Sequence, residues 1–178
     1  VMGKPGDGKT TSIRTIMDAG IETFALFTEP GYSVIAGDRR LKFAYIPPTQ
    51  RGWAEMEAAA EIINSLGNKG LQELPGLNKS DHRQIFRVYS LLNNFVDDRT
   101  GKEYGPVEEW GTDRCLVIDS MTGVVRMMRG LAVGSKPILT QPDYGVIMHN
   151  VGLFVDDLNF KLRCHIFMTA HIEIERDE

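Results

Sequence analysis

The chain has 178 residues, 42% hydrophobic and 25% charged, which excludes disorder as the main state and suits one domain or a domain with a small insertion. Lys and Arg number 20 against 24 Asp and Glu, a net charge of −4 that excludes a wholly basic nucleic-acid coat protein but allows a local basic patch. No apolar run reaches the ~18 residues of a membrane-spanning helix, and the two cysteines cannot build a disulfide framework, so a cytoplasmic, non-membrane protein is expected.

The first feature is chemical. Gly3-Lys4-Pro5-Gly6-Asp7-Gly8-Lys9-Thr10 matches the pattern G-x-x-x-x-G-K-[ST] at every fixed position. Gly6 and Gly8 can adopt backbone angles closed to residues with a Cβ, so the chain can curl around a phosphate. The amides from Gly6 to Thr10, with Thr11 next in line, then point inward as an anion nest at the positive end of a helix. Lys9 reaches the outer phosphates as a point charge, and Thr10 offers a hydroxyl to Mg²⁺. Pro5 stiffens the loop without donating. The bland alternative is a glycine-rich turn that matches by chance. Against it stand the apolar helical stripe Ile13, Ile16 and Met17 and a helix stop at Gly20. Only Val1 and Met2 precede the loop, whereas a strand takes about five residues. The expectation is therefore an excerpt of a longer chain, with a core incomplete at both ends.

Further along, Thr23-Phe24-Ala25-Leu26-Phe27-Thr28 reads as a buried strand closed by the turn Glu29-Pro30-Gly31. Lys42-Phe43-Ala44-Tyr45-Ile46 reads as another. Residues 51–66 read as a helix with Trp53, Met56, Ala60 and Ile63 on one face. Residues 64–78 read as a loop, and Ser80 as the cap of a helix running to about Val96, with Ile85, Val88, Leu92 and Phe95 inward. Residues 67–112 as a whole read as an insertion rather than a second domain. Cys115-Leu116-Val117-Ile118-Asp119 is a short apolar run ending in a carboxylate, with a helix expected from Met121. After a loop over 130–141, Thr140 or Gln141 opens a long helix with Ile147, Val151, Phe154 and Leu158 on one face. Residues 164–170 form the last strand, ending at His171. Such alternation predicts an α/β three-layer fold with a mostly parallel sheet.

Asp119 has two readings: a carboxylate delivered by a buried strand to a Mg²⁺ shell, or a strand-end Asp that caps the next helix. The glycine-rich loop upstream favours the metal. Many motor ATPases carry a Glu directly after this Asp; here Ser120 stands there, so a base must come from elsewhere. Glu29 is the candidate, because strand ends on one edge of a parallel sheet converge on one crevice. A solvated turn carboxylate is the alternative. His171 ends the last strand at that same edge and is read as a sensor of the γ-phosphate or attacking water, against a merely structural histidine. The acid-free stretch 120–142 contains Arg126, Arg129 and Lys136. It reads equally as a phosphate-contacting surface or as a solvated helix end, and it lacks the aromatics that stack single-stranded bases.

Residues 3–10, Phe27-Thr28-Glu29-Pro30-Gly31, residues 116–120, Gln141-Pro142-Asp143-Tyr144-Gly145 and Met168-Thr169-Ala170-His171 together resemble the RecA-type P-loop ATPases. The chain is similar in particular to the compact phage-encoded RecA/RadA-like ATPases linked to DNA recombination and single-strand annealing. The resemblance implies a RecA-like core that hydrolyses ATP with Mg²⁺ in a bacterial host's cytoplasm. Lys9 and Thr10 would take nucleotide and metal, Asp119 the metal shell, Glu29 the base role and His171 the sensor role. It further implies a homo-oligomeric ring or filament with ATP at subunit borders, a trans-acting residue for which Arg176 is the candidate, and single-stranded DNA as partner. Two rivals stay open. One is a P-loop kinase of a nucleotide or small metabolite, for which Arg83, Arg87 and Arg99 would serve as lid arginines. The other is a nucleotide-gated scaffold or regulatory subunit that barely turns ATP over.

Overall fold

The computed structural model describes residues 1–4, 6–50, 52–74 and 79–171. In chain order the elements are β1 (Met2–Gly3), α1 (Lys9–Asp18), β2 (Glu22–Phe27), β3 (Leu41–Tyr45), α2 (Trp53–Ser65), α3 (Asn68–Glu73), α4 (Gln84–Asn93), β4 (Arg114–Asp119), α5 (Met121–Val133), α6 (Gln141–Lys161), β5 (His165–Met168) and β6 (Ala170–His171). Four strands make an all-parallel sheet in the order β3-β2-β4-β5. The short β1 pairs in parallel with β6, Met2 opposite Ala170 and Gly3 opposite His171. Thus β5 and β6 together link the glycine-rich loop to the main sheet.

Alternation along each strand builds the layers. Phe24 and Leu26 of β2, with Leu116 and Ile118 of β4, face a core completed by Ile85, Val88 and Leu91 of α4, Val124 and Met128 of α5, and Phe154 and Leu158 of α6. Ala25, Phe27, Cys115 and Val117 point the other way and pack with Ile13 and Met17 of α1, Ile35 and Leu41. Because successive side chains leave opposite faces of a strand, each central strand is buried on both sides. The result is an α/β fold whose parallel sheet is flanked by helices. Around Phe24, Phe95 stands edge-on at 5.2 Å between centroids and Trp110 lies tilted at 4.2 Å. Residues of the 67–112 stretch therefore share the main core.

Helix ends follow local chemistry. Gly20, at φ +80°, terminates α1: its N–H donates to the Met17 carbonyl, and the Ile21 N–H reaches back to Ile16. Thr140 caps α6 in a reciprocal box with Asp143. Ser120 caps α5, its side chain accepting from the Gly123 N–H.

Several expectations change. The turn at Glu29-Pro30-Gly31 opens a 3-10 helix over Pro30–Val34. Helix α3 lies within the stretch expected to be a loop, and α4 starts at Gln84, with Ser80 in a separate 3-10 turn, Lys79–Asp81. Leu91 takes the fully buried place expected of Leu92, which packs only partly. Helix α5 runs on through Gly130 to Val133, four residues into the expected loop; Gly130 packs against His82, leaving no room for a Cβ, and the helix stops at Gly134, whose φ is +61° and whose N–H donates to the Gly130 carbonyl. Most different is α2. It is a helix with the expected apolar face, yet none of its residues is buried: Trp53 is 85% exposed and Met56 50%.

Candidate functional site

The glycine-rich loop lies between β1 and α1. Gly6 and Gly8 have φ of +90° and +76°, the left-handed region that favours glycine, and Gly8 is the residue from which α1 starts. The Asp7 carboxylate accepts from the Lys4 N–H at 2.6 Å and braces the turn. Gly3 must be small, since a Cβ there would lie 2.8 Å from Asp7 Oδ2. Lys9 is buried, and its ammonium donates to the carbonyls of Gly3 at 2.8 Å and Lys4 at 2.7 Å. The charge is thus held across the mouth of the loop. Pro5 and Arg176 lie outside the described residues.

Asp119, at the C-terminal end of β4, is buried. Its Oδ2 accepts from the Thr10 hydroxyl at 2.7 Å, and its Oδ1 accepts from the Thr169 hydroxyl. So the strand carboxylate and the first turn of α1 meet although 109 residues separate them. Of the two readings of Asp119, capping is excluded by the structure, because Ser120 caps α5 instead. Thr28 ties the neighbouring strand end to this one. Its hydroxyl donates to the Ser120 carbonyl and accepts from the Ser120 N–H, both at 3.0 Å.

Glu29 follows Thr28 on the same sheet edge. His171 Nε2 lies 2.6 Å from Glu29 Oε2. A carboxylate can only accept, so a hydrogen bond here uses the His171 tautomer with its proton on Nε2. The His171 N–H donates to Thr122 Oγ1 at 3.0 Å, which fixes β6 to α5. Glu29 Oε1 faces the Arg126 guanidinium at 3.6 Å, too long for a hydrogen bond. Glu29 Oε1 and His171 Nδ1 are buried and have no hydrogen-bond partner among the described residues. A cavity of about 300 Å³ opens beside Glu29, with Thr49, His82, Gln84 and Arg126 among its walls.

The other cations are placed less centrally. Lys136 is buried and pairs with Asp143 at 2.7 Å, so it leaves the surface on which Arg126 and Arg129 stand exposed. The Lys136 ammonium, with the Thr140 N–H and hydroxyl, holds the Asp143 carboxyl down to about 2. Arg87 pairs with Asp98 at 3.8 Å, and Arg99 donates to the carbonyls of Ala36 and Asp38. Arg83 lies over the Phe86 ring. Burial pushes the Cys115 thiol up to about 11, assisted by nearby Cys164.

The donor set fits Mg²⁺. Thr10 and Asp119 offer hard oxygens, and this cation takes few protein ligands, keeping waters and phosphate oxygens for the rest. Among the described residues no group of three or more His, Cys, Asp or Glu side chains is placed to enclose a metal ion. Also among them, no helix is long and apolar enough to cross a membrane.

Sequence reading missed Thr28, Thr122 and Gly123 as parts of this site. The register holds the missing signal: Phe27 pairs with Asp119, which sets Thr28 beside Ser120. In searches of protein-family models and of curated proteins, the chain matches none.

Proposed function

We propose that this chain is a Mg²⁺-dependent, RecA-like ATPase that works in DNA recombination, annealing or repair during phage replication. The observation carrying the reading is the Thr10–Asp119 hydrogen bond, which joins the two groups that a nucleotide-bound Mg²⁺ requires. When bound, Mg²⁺ would supply charge neutralisation at the phosphates, held by Thr10 and Asp119. The loop amides and the start of α1 would bind phosphate oxygens, which compete for the Lys9 ammonium with the carbonyls of Gly3 and Lys4. Glu29 takes a proton from the attacking water as oxygen bonds to the γ-phosphorus and the bond to ADP breaks. His171, bonded to Glu29, holds that carboxylate and shifts partner as the γ-phosphate arrives and leaves. The DNA partner and the ring or filament assembly are carried by the resemblance, with Arg126 and Arg129 as the cations for phosphate contact.

Steady-state phosphate release from ATP and Mg²⁺, with and without single-stranded DNA, tests the reading. Lys9→Ala should abolish release. Glu29→Gln should lower kcat by about 10²–10⁴-fold while nucleotide still binds. Release unchanged by Glu29→Gln sinks the mechanism. Release that demands an added acceptor makes the protein a kinase, and binding without turnover makes it a nucleotide-gated scaffold.

A further inference from the structure

Helix α2 poses a physical problem. An isolated helix of this length is marginal in water, and most helices are stabilised by packing an apolar face. Yet α2 leaves Trp53, Met56 and Ile63 exposed on one side. At 100° per residue, Trp53, Met56, Ala60 and Ile63 fall within one 80° sector, flanked by Glu57 and Glu61 on one side and Glu55 on the other. The helix thus presents an apolar ridge with acidic borders.

A second exposed apolar surface lies between α5 and α6. This groove of about 380 Å³ has a floor that includes Met121, Val125, Tyr144 and Met148, and its lining residues include no acid but two arginines, Arg129 and Arg126, the latter also facing Glu29 at 3.6 Å. Tyr144 and Met148 are 55% and 59% exposed. We infer that α2 of one copy seats in the α5–α6 groove of a second copy, its Trp53–Met56 ridge on the apolar floor and its glutamates against Arg126 and Arg129.

Charge selects this occupant. Pairing α2 with α2 of another copy would set three glutamates against three. The groove between α4 and α6 is also partly apolar, but it carries Glu108 and Asp157 against Lys161 and would repel an acidic helix. Single-stranded DNA would compete for the two arginines, but Tyr144 is the lone aromatic among the groove's lining residues, and the aliphatic Met121, Val125 and Met148 give bases little to stack on. The two surfaces differ, so the contact is head-to-tail and propagates to a ring or a filament. A helix roughly 20 Å long buries less than a standard interface, so a weak, concentration-dependent association is expected.

Sedimentation velocity of the whole chain over a concentration series, without nucleotide, tests the contact. The readout is mass, so it stands apart from the ATPase reading. Wild type should self-associate, and Trp53→Ser with Met56→Ser should raise the dissociation constant at least tenfold. Those residues are solvent-exposed, so the fold should survive. Glu57→Arg with Glu61→Arg, and separately Arg126→Glu with Arg129→Glu, should each weaken association, and mixing these two charge-reversed proteins should restore it. A chain that stays monomeric to several hundred micromolar overturns the inference. So does association that the Trp53 and Met56 changes leave intact. If the arginine reversals abolish binding of an oligo-dT probe and leave the mass distribution unmoved, the groove is a nucleic-acid surface instead.

Discussion

Replacing Gly123 by alanine asks whether Thr28 and Ser120 lock the ends of β2 and β4 together. Gly123 lies in the first turn of α5, and a Cβ there would sit 2.0 Å from Thr28 Oγ1 and 2.6 Å from Thr28 Cβ. In an open helix the change would gain about 1 kcal/mol from propensity. Here the added methyl group must displace Thr28, which costs about 1–3 kcal/mol by overpacking. It also strains both Thr28–Ser120 hydrogen bonds, and a buried polar group left unsatisfied costs about 1–3 kcal/mol. The penalties exceed the gain, and the net is a destabilisation of about 3 kcal/mol. Gly152→Ala in α6 is the internal control, because nothing lies within 4 Å of a Cβ there. It should stabilise by about 0.5–1 kcal/mol. Urea unfolding followed by circular dichroism gives both values. Thr28 precedes Glu29 and Ser120 follows Asp119, so on the proposed ATPase function phosphate release by Gly123→Ala should fall even where the protein is folded. If Gly123→Ala is as stable as wild type, the Thr28–Ser120 lock is not as described and the placement of Glu29 beside Asp119 loses its support.

Other expectations concern separate parts of the molecule. Both thiols are buried and raised, Cys115 to about 11, so Ellman's reagent at pH 8 should report almost no fast-reacting thiol until urea unfolds the chain; rapid titration of either cysteine in the native protein contradicts the packing. Asp143 has a native pKa of about 2 against an ordinary 3.8, so it stabilises the fold fully above about pH 4 and loses that contribution as pH falls towards 2. The unfolding midpoint of Asp143→Asn should therefore trail wild type at pH 6 by a margin that narrows below about pH 4 and is still closing at pH 2.5, and a gap that does not narrow refutes the assignment. On the proposed ATPase function, Thr10→Val should weaken the Mg²⁺ dependence of ATP hydrolysis, and combining it with Asp119→Asn should cost less than the two changes summed, since both remove one shared contact; strict additivity would count against a common metal site.

What the sequence determined by itself is local. Gly6, Gly8, Lys9 and Thr10 stand at the spacing of a phosphate-cradling turn, and its two inner glycines take the left-handed angles which that spacing predicts. The alternation Phe24-Ala25-Leu26-Phe27 and the run from Cys115 to Asp119 are apolar throughout because both faces of these strands are covered. Gly20 and Thr140 mark helix ends through hydrogen bonds made within a few residues. Only tertiary structure could decide the rest. The Glu29–His171 contact spans 142 residues and depends on strand order and register. Lys136 looks like a free surface cation until α6 brings Asp143 against it. The same holds for α2. Its periodicity announces an apolar face, but periodicity says only that a face exists. What covers that face is a matter of which surfaces the fold leaves over, and here it leaves an acid-bordered ridge and an arginine-lined groove on the same chain.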